Sequence, residues 1–339
     1  MEEEVVMHGG DLAEASRRFG IAGDDWLDLS TGINPTAFAF EPLTMDCYRR
    51  LPSPARLAEL EAAARAAYGV PPDAGLVAAP GTQALIQAIP RLFGSGNVGV
   101  VGPTYSEHEA AWLASNHAVI ELAEPTGDDL DHMVIVNPNN PDGRTWSPDE
   151  LASIGKRLGS RGGVMAVDEA FGDPYPELSA VRHAANRGLI VLRSFGKFFG
   201  LAGVRLGFAI CEPRLAQRLR DQFGPWSVCG PAIEIGLAAL SDPEWIKSAG
   251  RALHNKSHKL DAILRASGLG VIGGTWLFRL VETHRAWQLH DELARRGIWV
   301  RKFSYNERWL RFGLPADEAA FDRLGRALEE IRSGQSTAA

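Results

Sequence analysis

The sequence predicts an α/β protein: a main lobe built on a mostly parallel β-sheet sandwiched by helices, and a smaller α+β lobe. Two patterns carry this prediction. From about residue 76 onward, short apolar runs alternate with helical patterns, as successive strand-helix-strand units require. After about residue 240 the alternation gives way to one long helical stretch, two apolar strands with a helical pattern between them, and a closing helix.

Taken in order, the first fifty residues are expected to form an N-terminal arm and part of the small lobe. Residues 51–240 form the large domain, 241–333 the small C-terminal domain, and 334–339 (GQSTAA) a disordered tail. Strands are expected at LVAA (76–79), VGVV (98–101), MVIV (133–136), VMAV (164–167), LIVL (189–192) and LGFAI (206–210), because four to six consecutive apolar residues suit a sheet buried on both faces. Helices are expected at TQALIQAIPRLF (82–93) and SPDELASIGKRL (147–158), the second opened by a Ser-Pro start signal. In the small lobe, strands are expected at TWLFRLV (275–281), IWVR (298–301) and around WLRFG.

Composition excludes several function classes. The 339 residues are 45% hydrophobic and 23% charged, with no apolar run of membrane-spanning length. The acidic start MEEEVVMHGGD carries no secretory signal, so the expected location is the cytoplasm. A net charge of −7 without a basic cluster speaks against nucleic acid. Three cysteines, Cys47, Cys211 and Cys229, without CxxC spacing argue against a zinc site or a disulfide framework, and no metal is expected.

The chemistry should gather beyond the C-terminal ends of the strands. Lys197 stands in RSFGKFFGLAGVRLGF (193–208), just after an apolar strand and Gly196, where apolar neighbours would strip its hydration and free the amine to attack a carbonyl. Most lysines are instead solvated surface groups. Ser194 lies three residues before it and Arg205 eight after. Hydroxyl, amine and guanidinium together suit a phosphorylated aldehyde, two groups for the phosphate and one for the aldehyde carbon. Gly81-Thr82-Gln83 opens a helix after a strand and reads either as a phosphate cradle or as an ordinary cap. Tyr105 either stacks on a planar ring or is a structural tyrosine at a helix start. In NPNNPDG (137–143) two prolines hold Asn139-Asn140 so that at least one amide is presented rigidly. Asp168 ends a strongly apolar strand and is either a helix cap or the partner of a protonated pyridine nitrogen.

Gly-Thr-Gln, Tyr, Asn-Asn-Pro, Asp, Ser-x-x-Lys and Arg, in that order, resemble the fold type I pyridoxal-phosphate enzymes, specifically the histidinol-phosphate aminotransferase-like group, over nearly the whole chain. The resemblance implies pyridoxal 5′-phosphate as cofactor, bound by the large domain. By it, Lys197 carries the Schiff base, Asp168 pairs with the pyridine nitrogen, Asn140 bonds the ring 3-oxygen and Tyr105 stacks on the ring. Gly81, Thr82, Ser194 and Arg205 would hold the cofactor phosphate. HGGDL (8–12) and LDLSTGINP (27–35) look like the L-threonine-O-3-phosphate decarboxylase branch, of cobalamin biosynthesis. That likeness implies a small phosphorylated amino acid as substrate, lined by His8, Gly9, Gly32, Arg301 and Arg311. Arg311 would grip the α-carboxylate, while Arg301 and His8 face the phosphate. His8 could also belong to a mobile arm and Arg301 be a surface charge. A homodimer is implied as well.

The sequence also departs from these patterns. Gly32 stands where the decarboxylases usually carry Asn, and Leu51 where the wider group has a tyrosine reaching the partner's cofactor phosphate. Phe171 replaces a tyrosine on the ring oxygen, which leans away from transamination, and Asp142 replaces a threonine. The rival expectations are an aminotransferase acting on histidinol phosphate or a related amino acid, and a catalytically silent cofactor-binding or scaffold protein.

Overall fold

The structure, a computed structural model, describes residues 9–127 and 129–336. Its contacts divide the chain into a first unit, Met1–Thr36 with Arg251–Ala339, and a second, Ala37–Gly250. The borders thus fall after Thr36 and Gly250, not after residues 50 and 240. Local packing explains both differences. The Phe38 N–H donates to the Phe199 carbonyl at 2.9 Å, and Trp245 stacks on Phe199 with ring centroids 5.4 Å apart. Gly230 lies so near Cys47 that a Cβ there would stand 2.1 Å from the Cys47 carbonyl oxygen.

Strands follow the chain as β1 (Leu27–Leu29), β2 (Gly75–Ala79), β3 (Asn97–Val101), β4 (Ala118–Leu122), β5 (His132–Val136) and β6 (Val164–Asp168). They continue as β7 (Leu189–Ser194), β8 (Gly207–Cys211), β9 (Gly270–Thr275), β10 (Phe278–Glu282), β11 (Ile298–Phe303) and β12 (Asn306–Gly313). The α-helices are α1 (Leu12–Phe19), α2 (Asp46–Arg49), α3 (Pro54–Tyr68), α4 (Thr82–Ala88), α5 (Glu107–Ala114) and α6 (Pro148–Ser160). After these come α7 (Phe195–Phe198), α8 (Pro213–Phe223), α9 (Gly230–Leu240), α10 (Pro243–Ala266), α11 (Ala286–Ala294) and α12 (Glu318–Ser336).

In the second unit seven strands form one sheet in the order β2-β8-β7-β6-β5-β3-β4, parallel except for β8. Every residue of β2, β5, β6, β7 and β8 is buried, which is why these strands read as unbroken apolar runs. The Ser-Pro signal holds: Ser147 Oγ accepts from the Glu150 N–H at 3.2 Å and Pro148 opens α6. The helix expected over 82–93 stops at Ala88. Pro90 has no N–H to continue the ladder, and residues 90–92 close as a 3₁₀ turn.

The first unit holds a mixed sheet in the order β1-β11-β12-β10-β9. The strand expected over 275–281 is two strands. Phe278 pairs with Thr275 across a tight turn, and Thr275 Oγ1 accepts from the Leu277 N–H at 3.1 Å, so the chain reverses at Trp276-Leu277. The expected tail is helical in its first half: the ladder of α12 runs through Ser336, and residues 337–339 lie outside the described residues. α1 packs on this sheet through a Phe19, Trp26 and Trp299 cluster, Trp26 donating from Nε1 to Ser16 Oγ at 3.0 Å. Among the described residues no helix is long and apolar enough to cross a membrane.

Candidate active site

Register gathers the second unit's chemistry at one sheet edge. Gly207, at the start of antiparallel β8, pairs with Ala79 at the end of β2 on one side and with Ser194 at the end of β7 on the other. Asp168 pairs with Leu192 of β7 and Val136 of β5. The residues just past these ends, Gly81, Thr82, Arg205, Ser194, Lys197 and Asp168, therefore meet there. Two glycines keep this edge open. A Cβ on Gly81 would stand 2.8 Å from Arg205 Nη2, and φ is +85° there; a Cβ on Gly207 would stand 2.6 Å from the Thr82 nitrogen. Arg205 itself adopts a left-handed φ of 54°, uncommon for a non-glycine residue. Lys197 is half-buried, with Nζ 5.9 Å from the centre of the buried Phe171 ring.

The connecting loops are tied by side chains. The Tyr105 hydroxyl donates to Gln83 Oε1 at 3.2 Å and Gln83 Nε2 donates to Glu107 Oε2 at 2.7 Å, so Gln83 anchors the Tyr105 ring. Asn139 is the structural amide of its pair. It accepts from Thr104 Oγ1 at 2.7 Å and donates to the Pro103 carbonyl at 3.1 Å and Asp142 Oδ1 at 2.8 Å, while Asn140 is half-buried. Asp142 also accepts from the Arg144 backbone N–H at 3.0 Å and side-chain Nε at 2.7 Å, which is how it serves the turn in place of threonine.

Asp168 is 3% exposed, so its charge needs partners. His108 Nε2 lies 2.9 Å from Oδ2, and the Ala170 N–H donates to Oδ1 at 2.9 Å. Sequence reasoning passed over His108; its only signal was its place on α5, three residues after Tyr105. It also passed over the neighbouring buried ion cluster. Arg193 Nη1 donates to Glu169 Oε2 at 2.8 Å, Nη2 lies 3.1 Å from Asp173 Oδ1, and the guanidinium sits 4.5 Å from the Tyr68 ring centre. Burial pushes the Glu169 and Asp173 carboxyls up, and Arg193 opposes that shift.

In the first unit, Arg301 and Arg311 face each other directly across the antiparallel pair β11 and β12. Arg311 is 7% exposed; burial, with Arg301 adding, pushes its guanidinium down to about 10. Its Nη2 donates to the Ser30 carbonyl at 2.8 Å. Ser30 is itself a junction missed in the sequence: its Oγ accepts from the Gly10 N–H at 2.7 Å and donates to Asp28 Oδ1 at 2.6 Å. Asp28 Oδ1 accepts from the Ser30 N–H as well, at 2.8 Å. Gly9 passes so close that a Cβ there would stand 2.5 Å from the Ser30 oxygen, which explains one glycine of HGG. Gly32, two residues on, is buried. His8 lies outside the described residues.

The second unit's residues fit a phosphorylated aldehyde bound to an amine. A cradle that side chains at 81 and 207 would fill is bordered by Arg205 and Thr82, with a lysine and a buried, partnered carboxylate on the same edge.

The profile of the aminotransferase class I and II family matches residues 43–328. A threonine-phosphate decarboxylase of Pseudomonas aeruginosa is 46% identical over 328 residues, covering 96% of this chain and 97% of that protein. A second, from a Sinorhizobium species, is 43% identical, covering 96% and 98%. Among solved structures, the histidinol-phosphate aminotransferase of Sinorhizobium meliloti in complex with pyridoxal 5′-phosphate superposes with a TM-score of 0.78 over 97% of this chain and 96% of that one, at 20% identity.

Proposed function

This chain belongs to the aminotransferase class I and II family, and we propose that it is a pyridoxal-phosphate-dependent lyase acting on L-threonine O-3-phosphate. The Cα–carboxylate bond breaks, carbon dioxide leaves, and a proton takes its place at Cα, giving (R)-1-aminopropan-2-ol phosphate for cobalamin biosynthesis. Pyridoxal 5′-phosphate, when bound, supplies a protonated ring that takes up the electron pair of the breaking bond.

The observation that carries this reading is the facing pair Arg301 and Arg311, linked through Ser30 to the Gly9-Gly10 segment. Two guanidiniums directly opposite on neighbouring strands repel, and an anion between them relieves the repulsion. A substrate with both a carboxylate and a phosphate meets that need. Arg311 grips the carboxylate; Arg301 and His8 take the phosphate. In the second unit, Ser194, Thr82, Gly81 and Arg205 hold the cofactor phosphate, Tyr105 covers the ring and Asn140 bonds its 3-oxygen. Asp168 would face the ring nitrogen, its carboxylate held in place by His108 at Oδ2 and by the Ala170 N–H at Oδ1. Lys197 would hold the cofactor through Nζ, and its amine is the group that would hold the proton Cα gains. Phe171 offers no hydroxyl to the ring oxygen, in keeping with decarboxylation.

The same reading includes a cytoplasmic two-fold homodimer. Phe40, Met45, Tyr48 and Leu51 of the second unit are exposed apolar side chains suited to burial against a second copy, and Leu51 contributes packing where the wider group has a hydroxyl.

The test is product analysis. Purified protein with O-phospho-L-threonine should release carbon dioxide and aminopropanol phosphate in equal amounts. Formation of a keto acid dependent on 2-oxoglutarate, without carbon dioxide, would replace this reading with an aminotransferase.

A further inference from the structure

We propose that His254 and His258 on α10 form a binding site for a nitrogen-preferring divalent transition cation, of the nickel and copper type. The two imidazoles are one turn apart on a continuous helix, so they project from the same face. Their ring centroids are 4.4 Å apart, and both side chains are exposed.

Of the other described histidines five are already engaged, and the sixth, the exposed His284, has no second histidine within four residues of it. His108 is committed to Asp168, His117 to the Pro90 carbonyl, His132 to the Val164 N–H, His183 to Asp149 and His290 to Asp291. Among the described residues, neither the His254 nor the His258 ring takes part in a hydrogen bond or ion pair, and both residues are exposed. The two lysines that flank the pair in sequence are turned elsewhere. Lys256 donates to Thr36 Oγ1 at 2.9 Å and the Ala316 carbonyl at 2.6 Å, and Lys259 pairs with Glu318. The Trp276 ring, 5.0 Å from that of His254 and nearly perpendicular, restricts that imidazole on one side.

Two imidazole nitrogens bound to neighbouring positions of one cation at about 2.0 Å each stand roughly 3 Å apart. Rings 4.4 Å apart on exposed side chains reach that spacing by side-chain rotation alone. Among the described residues no group of three or more histidine, cysteine, aspartate or glutamate side chains gathers around one point. Two nitrogens therefore come from the protein and the remaining positions from water. Such a donor set selects by affinity order, copper above nickel, and disfavours calcium and magnesium, which take oxygen. Bound metal would tie two successive turns of α10 and add stability by mass action.

The experiment is isothermal titration of the cofactor-loaded protein with Ni²⁺ in a non-coordinating buffer at pH 7.5, with tryptophan fluorescence recorded in parallel. The parent should take up a saturable equivalent that His254→Ala or His258→Ala each weakens at least tenfold. His284→Ala, another exposed histidine, should leave it unchanged. Trp276→Phe should keep the binding and lose the fluorescence change. Alanine is a better helix former than histidine at an exposed site, so the variants fold. No Ni²⁺ uptake by the parent overturns the proposal, and so does equal uptake by both α10 variants. Magnesium serves as the negative control: binding as tight as nickel would contradict a nitrogen site.

Discussion

Ser30→Ala tests the proposed substrate end of the enzyme without touching a group that contacts substrate. Ser30 is 1% exposed, and its hydroxyl makes two bonds, accepting from Gly10 at 2.7 Å and donating to Asp28 at 2.6 Å. Alanine removes both. The carbonyl that accepts from Arg311 remains, held by the Ser30 N–H bond to Asp28 and by the pairing of β1 with β11, but the side-chain tie to Gly10 is gone. Each lost hydrogen bond costs about 1 kcal/mol net. Gly10 is exposed and regains water, which leaves roughly 0.7 to 1.4 kcal/mol in the placement of Arg311 and the Gly9-Gly10 segment, or about three- to tenfold in affinity. The expected result is a KM for O-phospho-L-threonine raised by that factor, kcat within about twofold, and unchanged cofactor stoichiometry. Ser30→Thr, which keeps the hydroxyl, should recover most of the loss. An unchanged KM, or loss of cofactor instead, would refute the positioning role.

Four further outcomes follow from the same geometry. Lys197→Ala should abolish turnover and leave no cofactor attached after borohydride reduction; retained reducible attachment would exclude Lys197 as the anchor. Arg311→Lys should keep the cofactor absorbance and lose on the order of tenfold to a hundredfold in kcat/KM, since an ammonium cannot reproduce the bidentate fork; parental kcat/KM would remove Arg311 from the carboxylate. His132 is held neutral in the fold: burial, with His117 adding, lowers it from 6.5 to about 4. The unfolded chain takes up that proton first, so stability is withdrawn as pH falls from about 6.5 to about 4, by on the order of 3 kcal/mol, and no further below. His132→Asn, keeping an acceptor for the Val164 N–H, should shrink the drop in urea midpoint between pH 7 and pH 4.5; an equal drop in both proteins would assign the loss to other groups. Sedimentation at micromolar concentration should show a dimer, and a fully active monomer would contradict the assembly.

The large sheet was legible because its strands are buried on both faces, so local apolar runs were a sufficient signal. The edge strand β4 was not. AVIEL is exposed or half-exposed along its whole length, and the alternation is broken by a glutamate. β1 is only three residues long, and β9 (GVIGGT) is glycine-rich, with little side-chain pattern to read. Lys197, Asp168 and Arg205 could be singled out because charged groups beside apolar strands need a reason. His108, Ser30 and Arg193 could not, because their meaning lies in partners remote in sequence: Asp168 is 60 residues from His108, and Arg311 is 281 from Ser30.

The buried ion pair between β6 and β7 follows from strand parity. Asp168-Glu169 ends one strand and Arg193-Ser194 ends the next, and side chains alternate between the faces of a sheet. Parallel β6 and β7 pair Asp168 with Leu192, and the Glu169 N–H donates to the Leu192 carbonyl, which brings Glu169 level with Arg193. The Glu169 and Arg193 side chains then meet in a buried ion pair, while Asp168 is directed to His108 and Ser194 ends the strand at the Gly207 edge. Two adjacent carboxylates are thus sorted by strand parity: one is consumed in locking β6 to β7, the other is left for the chemistry. The lock also has a consequence for the site. Arg193 lies on the strand end from which Ser194 and Lys197 follow, and Glu169 next to the one that carries Asp168, so the buried pair reinforces the β6–β7 register that sets the two strand ends against each other. Breaking that pair by truncating Arg193 would strand two buried carboxylates, whereas exchanging all its members for apolar residues would test whether packing alone can hold the same register.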